Sequence, residues 1–227
     1  MLGARSRPEI PWISKVTGCS KVEAKRAIHD LGAHTETVVE LAAKVEGTGR
    51  AYYAQFPAPM DLFALVRLAK PREIVESGVA SGVSSAFILM AIKSNSAGAL
   101  HSIDLPVGRE KNRGNESWAI PAGLSSGWAV SPDLRRRWDL RKGKSEALLI
   151  PLLEELGDVD FYCHDSPVDV GHFEFEMNAV RRHLKPGSLV VADNTYRAIF
   201  NKTAESFGAK VHYRRESSLG AFMVPTR

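Results

Sequence analysis

Cysteine is nearly absent from the 227 residues: only Cys19 and Cys163 occur. Two thiols so far apart make neither a disulfide framework nor a metal-spaced pair, so both are expected to be reduced and structural. Long apolar runs are missing as well. No segment approaches the roughly eighteen apolar residues that a membrane-spanning helix takes, so no membrane partner is expected. The opening stretch MLGARSRPEIPWISK is charged and has no apolar h-region, so it does not read as a secretory signal, and the expected location is cytoplasmic. There is no internal repeat and no Gly-x-Gly-x-x-Gly. The glycines of VESGVASGVSS stand as Gly-x-x-x-Gly with Ala80 between them, which argues against the pyrophosphate turn of a nicotinamide-dependent oxidoreductase.

What is present suits one sizeable core with a small appendage. The net charge of +4 is mild, but DLRRRWDLRKGK (133–144) holds six Lys/Arg in twelve residues, and VHYRR adds two more. Such a run is either a solvated helix face or a surface for phosphate-bearing substrates or nucleic acid, and nucleic acid is the less favoured partner. Residues 1–58 read as a helical N-terminal extension of two or three helices. SKVEAKRAIHDLGAHTETVVELAAKVEG has apolar residues near helical spacing, Ser20 stands as a candidate N-cap before Glu23, and Gly47 and Gly49 end the pattern. This extension either caps the core or shapes a substrate lid or a homodimer surface.

Residues 59–227 alternate helix and strand patterns. MDLFALVRLAK is a helix that ends before Pro71, EIVESGV a buried strand, SSAFILMAIKS a helix and ALHSIDL a strand. Residues 106–130 form a long loop carrying Trp118 and Trp128, which either line an acceptor pocket or pack on the sheet edge. SPDLRRR is a short helix capped by Ser131 with Pro132 first, WDLRKG a strand, and SEALLIPLLEEL a helix that Pro151 is expected to bend or interrupt. VDFYCHD and SLVVADN are strands with the helix HFEFEMNAVRRHL between them, and after the helix AIFNKTAESFG the chain closes with AKVHYRR and LGAFMVP. The expected fold is α/β: a doubly wound, mostly parallel seven-stranded Rossmann-like sheet with an antiparallel C-terminal strand.

Ligands of such sheets sit at the carboxyl ends of the strands. Polar groups stand at five successive strand ends here: Glu76-Ser77-Gly78 with Ser81-Gly82, then Asp104, Gly143-Lys144-Ser145-Glu146, His164-Asp165 and Asp193-Asn194. Gly78 permits a sharp turn and close ligand approach. Gly82, Ser84 and Ser85 open a helix whose free N–H groups favour an anion. Asp104, 26 residues after Gly78, stands where an acid accepts bonds from ribose hydroxyls.

VESGVASGVSSAFILMAI, LHSIDLP, GKSEALLIPLLEEL, VDFYCHDS and LKPGSLVVADN, in that order, resemble the motifs of class I S-adenosylmethionine-dependent methyltransferases. The likeness is nearest to the small O-methyltransferases of the catechol and caffeoyl-CoA type and to the methyltransferase domain 24 relatives, and it spans about residues 59 to 225. It implies methyl transfer from S-adenosylmethionine to a small-molecule acceptor, most readily at oxygen. By resemblance, Glu76, Gly78 and Gly82, with Ser81 in the same turn, hold the methionine part of the cofactor. Ser84 touches its carboxylate, Asp104 binds the ribose, Ser145 and Glu146 lie beside the adenine, and Asp165 adjoins the cofactor. In metal-dependent members the positions of Asp165, Asp193 and Asn194 bind Mg²⁺, which suits their hard oxygen donors.

One departure bears on catalysis. Catechol-type enzymes place a lysine base three residues after the strand-four aspartate, and Val168 stands there instead. His172 and His164 are the nearest candidate bases, His172 being alternatively a capping residue at a helix start. Two other readings stay open. Methylation of RNA fits the basic run but lacks an aromatic platform and an Asn-Pro-Pro-Tyr-like tetrapeptide, HDSP standing in its place. A non-catalytic protein that binds S-adenosylmethionine would keep the fold without the base.

Overall fold

Five strands form the parallel half of the sheet, β1 (Glu73–Ser77), β2 (Ala99–Asp104), β3 (Trp138–Lys142), β4 (Val159–His164) and β5 (Leu184–Ala192), all with buried apolar residues except β3, which is half-exposed. Two short strands, β6 (His212–Tyr213) and β7 (Gly220–Met223), complete it. The computed structural model describes residues 7–49, 56–106, 120–166 and 169–226, so Trp118, Val168 and residues 107–119 of the expected long loop lie outside the described residues. The strand order is β3-β2-β1-β4-β5-β7-β6, with β7 antiparallel to both neighbours. The expected doubly wound α/β sheet is therefore present. Chain direction across the sheet reverses between β1 and β4, so a crevice opens at the carboxyl ends of those two strands.

The helices divide between the two faces. On one lie α1 (Ile10–Thr17), α2 (Lys21–Asp30), α3 (Thr35–Glu46), α4 (Pro59–Ala69) and α5 (Val83–Asn95), over Ile74, Phe161, Cys163, Leu189 and Val191. On the other lie α6 (Ser145–Leu156), α7 (Val170–Arg181) and α8 (Arg197–Glu205), over Val75, Ile103, Tyr162, Val190 and Phe222. Each fully buried side chain of this kind is worth about 1.5–3 kcal/mol. Helix α2 begins with a complete capping box, Ser20 Oγ accepting from Glu23 N and Glu23 accepting from Ser20 N at 2.8 Å. Pro151 does not interrupt α6, which runs unbroken from Ser145 to Leu156; the ring removes one intrahelical donor, and Leu149, Leu152 and Leu153, fully buried around it, hold the helix on the sheet. Both cysteines are free. Among the described residues no helix is long and apolar enough to cross a membrane.

The N-terminal helices are tied to the far edge of the sheet. Trp12 Nε1 donates to the His212 carbonyl at 2.8 Å. Arg214 Nε donates to Asp61 Oδ2 at 2.7 Å with both residues buried, and Asp61 Oδ1 accepts from Glu9 N at 2.8 Å. Burial raises the Asp61 pKa although Arg214 opposes the rise, which marks a pair costly to half-remove. Asp61→Ala is expected to lower stability by about 3–5 kcal/mol, read from urea unfolding, whereas a surface substitution such as Val22→Ala stays within about 0.5 kcal/mol.

Candidate active site at the carboxyl ends of the strands

Strand alternation decides which side chains meet. On β1, Ile74 and Glu76 face α4 and α5, while Val75 and Ser77 face α7. The register pairs Glu76 with Ser102 on β2 and with Cys163 on β4, and Cys163 with Val191 on β5. Asp104 shares the face of Ser102, and continuing the alternation one residue past β4 and β5 brings Asp165 and Asp193 to the same side. Asp165 N donates to the Ser77 carbonyl at 2.8 Å and Asp193 N to the His164 carbonyl at 2.9 Å, which extends the pairing to those residues. Glu76, Asp104, Asp165 and Asp193 thus gather at the crevice.

Their electrostatics follow from that placement. Glu76 is fully buried; Oε2 accepts from Ser85 Oγ at 2.6 Å and Ser102 Oγ at 2.7 Å, and Oε1 has no hydrogen-bond partner among the described residues. Burial pushes its pKa up to about 7, against the pull of the Ser85, Ser102 and Ser84 hydroxyls and with a push from Asp104. The Asp165 side chain retains some surface but sits deep among protein atoms. Burial raises its pKa well above its ordinary value, and Asp193, Glu76 and Asp104 add to the rise. Burial raises the Cys163 thiol likewise, with Glu76, Asp165 and Asp193 adding to it.

The glycine turn is held by two contacts that leave no room for a side chain. Gly78 has φ +86°, and a Cβ there would stand 2.0 Å from the Asp165 carbonyl oxygen. Gly82 has φ +93°, and its Cβ would meet Val130 and Gly127. Gly82 is also the N-cap of α5, which has no side-chain cap, so first-turn N–H groups remain for an anion. Residues 124–131 bind across the turn: Gly127 N donates to the Ala80 carbonyl at 2.8 Å and Ala129 N to the Ser81 carbonyl at 3.0 Å.

Several predicted residues are engaged differently from the expectation. Asp104 Oδ1 accepts from Val79 N at 2.9 Å and Ala80 N at 3.3 Å, and Oδ2 accepts from Ser126 Oγ. A carboxylate oxygen has two lone pairs, so Oδ2 keeps room for one ribose hydroxyl rather than the expected two. Ser84, almost fully buried, lies by Glu76. Ser145 faces His172 at 3.3 Å, and Glu146 reaches the other nitrogen of that ring at 3.2 Å. Asp193 accepts from Ser218 Oγ at 2.5 Å and from Asn194 Nδ2 at 3.3 Å, and Asn194 itself is exposed with φ +49°.

Both histidine candidates are engaged by Glu176. His164 is buried, with Nδ1 at 2.6 Å from Glu176 Oε2 and its ring edge-on to Phe173. His172 Nε2 lies 3.0 Å from Glu176 Oε1; that bond outweighs burial, and with Glu146 raises the His172 pKa to about 9. Both ring nitrogens of His172 are thus engaged by carboxylates, and the raised pKa favours its protonated form. The capping role falls instead to Asp169, which accepts from His172 N at 2.9 Å.

Two oxygen acids and an amide are the donors a Mg²⁺-class ion takes, and the repulsion between Asp165 and Asp193 is what such an ion would relieve. Among the described residues no three His, Cys, Asp or Glu side chains are placed to share a metal. Of the six cations in 133–144, Arg135 donates to the Gly127 and Val130 carbonyls, Arg137 to Gly98, Arg141 to Asp139 and Glu155, and Lys142 to Ser125. A cavity of about 600 Å³, lined by Ile28, Val38, Met60 and Phe87 among others, lies between the N-terminal helices and α4 and α5 rather than at the strand ends. Trp128 packs against the core beside α5.

Two outcomes test this site. Gly78→Ala is expected to cost at least 2 kcal/mol of unfolding free energy, since both the positive φ and the Asp165 carbonyl oppose a methyl group. Glu76 ionises near its ordinary 4.5 when unfolded but near 7 when folded, so between those values the native state binds more protons and stability falls as pH rises. The loss amounts to roughly 3 kcal/mol at 1.36 kcal/mol per pKa unit. Glu76→Gln should flatten that slope in urea titrations at pH 5 and pH 7.5; an unchanged slope contradicts the assignment.

Solved structures with this fold include a Klebsiella pneumoniae protein assigned as an O-methyltransferase, at TM-score 0.53 and 17% identity over 84% of this chain and 90% of that one. CalS11, the TDP-rhamnose 3'-O-methyltransferase of calicheamicin biosynthesis, superposes at TM-score 0.51 and 15% identity, over 72% of this chain and 76% of that one. Both likenesses concern the fold. A search of curated protein sequences gives no match. Residues 75–195, more than half of the chain, match the family model described as Methyltransferase domain and enclose every strand-end residue named above except Ser218. The chain therefore belongs to the methyltransferase domain family, of the class I S-adenosylmethionine-dependent type that its motifs resemble.

Proposed function

We propose that the protein transfers a methyl group from S-adenosylmethionine to an oxygen of a small-molecule acceptor. The observation that carries this reading is the crevice between β1 and β4, where a fully buried Glu76 oxygen lacks a partner among the described residues, beside the N-terminus of α5, which has no side-chain cap. A ligand bearing both an ammonium and a carboxylate, as an amino acid does, answers both features. The α5 N–H groups would take the carboxylate, Glu76 and Asp165 the positive end, Asp104 Oδ2 one ribose hydroxyl, and Ser145 the edge of the adenine. When bound, the cofactor supplies an electrophilic methyl on a sulfonium, and the protein's part is alignment and exclusion of water.

For proton removal the geometry favours Asp165 over His172, since Asp165 keeps some surface at the crevice while both ring nitrogens of His172 are engaged by Glu146 and Glu176. Asp165, Asp193 and Asn194 would hold a Mg²⁺ ion in the metal-assisted version, where the ion lowers the pKa of an acceptor hydroxyl. The intramolecular engagement of four of the six cations in 133–144 supports a small acceptor over nucleic acid.

Calorimetry with S-adenosylhomocysteine is expected to give saturable 1:1 binding, weakened at least tenfold in Gly82→Val, a change that drives a side chain into Gly127 and Val130. No heat at millimolar ligand with folded protein rejects the cofactor. Mg²⁺ added to chelated enzyme should raise turnover in the wild type and leave Asp193→Ala unchanged; equal turnover with and without chelator rejects the metal. Binding without transfer to any phenolic, catecholic or sugar hydroxyl would favour the non-catalytic reading.

A further inference from the structure

Helix α7 buries Phe173, Glu176, Met177 and Val180, so a glutamate occupies a core position of an amphipathic helix. A carboxylate is costly to bury unless it is fully bonded. Glu176, with no exposed surface, receives five side-chain partners: Ser77 Oγ at 2.7 Å, Tyr162 OH at 2.9 Å and His164 Nδ1 at 2.6 Å on Oε2, with Ser166 Oγ at 3.2 Å and His172 Nε2 at 3.0 Å on Oε1. These partners occupy the face of the sheet opposite the four crevice acids. Four of the five adjoin the crevice residues in the chain or touch them. Ser77 stands between Glu76 and Gly78, His164 and Ser166 flank Asp165, and His172 reaches Ser145.

We propose that Glu176 is a positioning residue of the cofactor site, one buried carboxylate that sets the relative placement of the β1 turn, the β4 end and the start of α6. This inference rests on the reading of the crevice as the S-adenosylmethionine site. Glu176 touches no reacting atom; its effect passes through the backbone it holds. Because the carboxylate binds β1 and the β4 end directly and reaches α6 through the His172–Ser145 contact, its loss should loosen all three together rather than α7 alone.

Two measurements on the full chain test this. By calorimetry, Glu176→Gln that still unfolds cooperatively should bind S-adenosylhomocysteine about tenfold more weakly than wild type. Leu41→Ala, a core truncation in α3 on the opposite face of the sheet, should lower stability and leave that affinity unchanged. By hydrogen exchange without ligand, Glu176→Gln should speed exchange in 72–82, 143–148 and 160–166 as well as in α7. Wild-type affinity together with faster exchange confined to α7 overturns the proposal. A wild type that fails to bind S-adenosylhomocysteine overturns the reading of the crevice instead, and the exchange comparison then decides alone whether the three segments share an anchor. Should Glu176→Gln not fold, Ser166→Ala, which removes an Oε1 donor and leaves the His172 contacts to Ser145 and Glu146 in place, carries the same comparison.

Discussion

Four carboxylates brought to one edge of a parallel sheet repel one another, and much of the surrounding structure answers that repulsion. Strand alternation leaves no choice: once Ile74, Phe161 and Leu189 face α4 and α5, Glu76, Asp165 and Asp193 must stand on the same side. Serines hold Glu76, backbone N–H groups and Ser126 hold Asp104, and Ser218 holds Asp193. Among the described residues no Lys or Arg is bonded to any of the four. With no cation to offset it, burial raises the Glu76 and Asp165 pKa values, and the neighbouring carboxylates add to the rise.

The opposite face of the same strands carries the reverse arrangement. There one carboxylate, Glu176, meets two imidazoles and three hydroxyls, and those bonds hold its pKa far below the usual range although burial alone would raise it. A sheet two side chains thick thus separates an acid group short of donors from an acid saturated with them. The first suits binding, because its polar atoms keep capacity. The second suits rigidity, because a fully satisfied buried network has one arrangement. The segment 124–131 and the Arg135–Trp138 contact close the crevice from the β3 side, and the Asp61–Arg214 pair fixes the N-terminal helices at the other edge.

The order of strands, the antiparallel final pair, the Ser20 capping box and the strand-end positions were legible from sequence, because alternation, glycine turns and capping chemistry are local. Partners were not legible. Asp104 carries the spacing of a ribose acid, yet three donors from its own chain occupy it, one of them Ser126 in a loop with no pattern of its own. His172 looks like a base because it stands near the strand-four aspartate; its pKa is raised because Glu176 and Glu146 arrive from one helical turn and from another helix. A signal for Glu176 was available: in HFEFEMNAV it stands three residues after Phe173 and four before Val180, on the face that must be buried. The cavity beneath the N-terminal helices had no such signal, since it depends on how α2 and α3 pack against α4 and α5.

The central claim is that the four-carboxylate crevice between β1 and β4 is the cofactor site. A crystal structure of the protein with S-adenosylhomocysteine tests it most directly. The account predicts the amino-acid end of the ligand between Glu76 and the start of α5, and the ribose against Asp104 Oδ2 with Ser126 displaced or sharing that oxygen. Ligand bound in the cavity lined by Val38, Met60 and Phe87, with the crevice bonds of Glu76 and Asp104 unchanged, would contradict it.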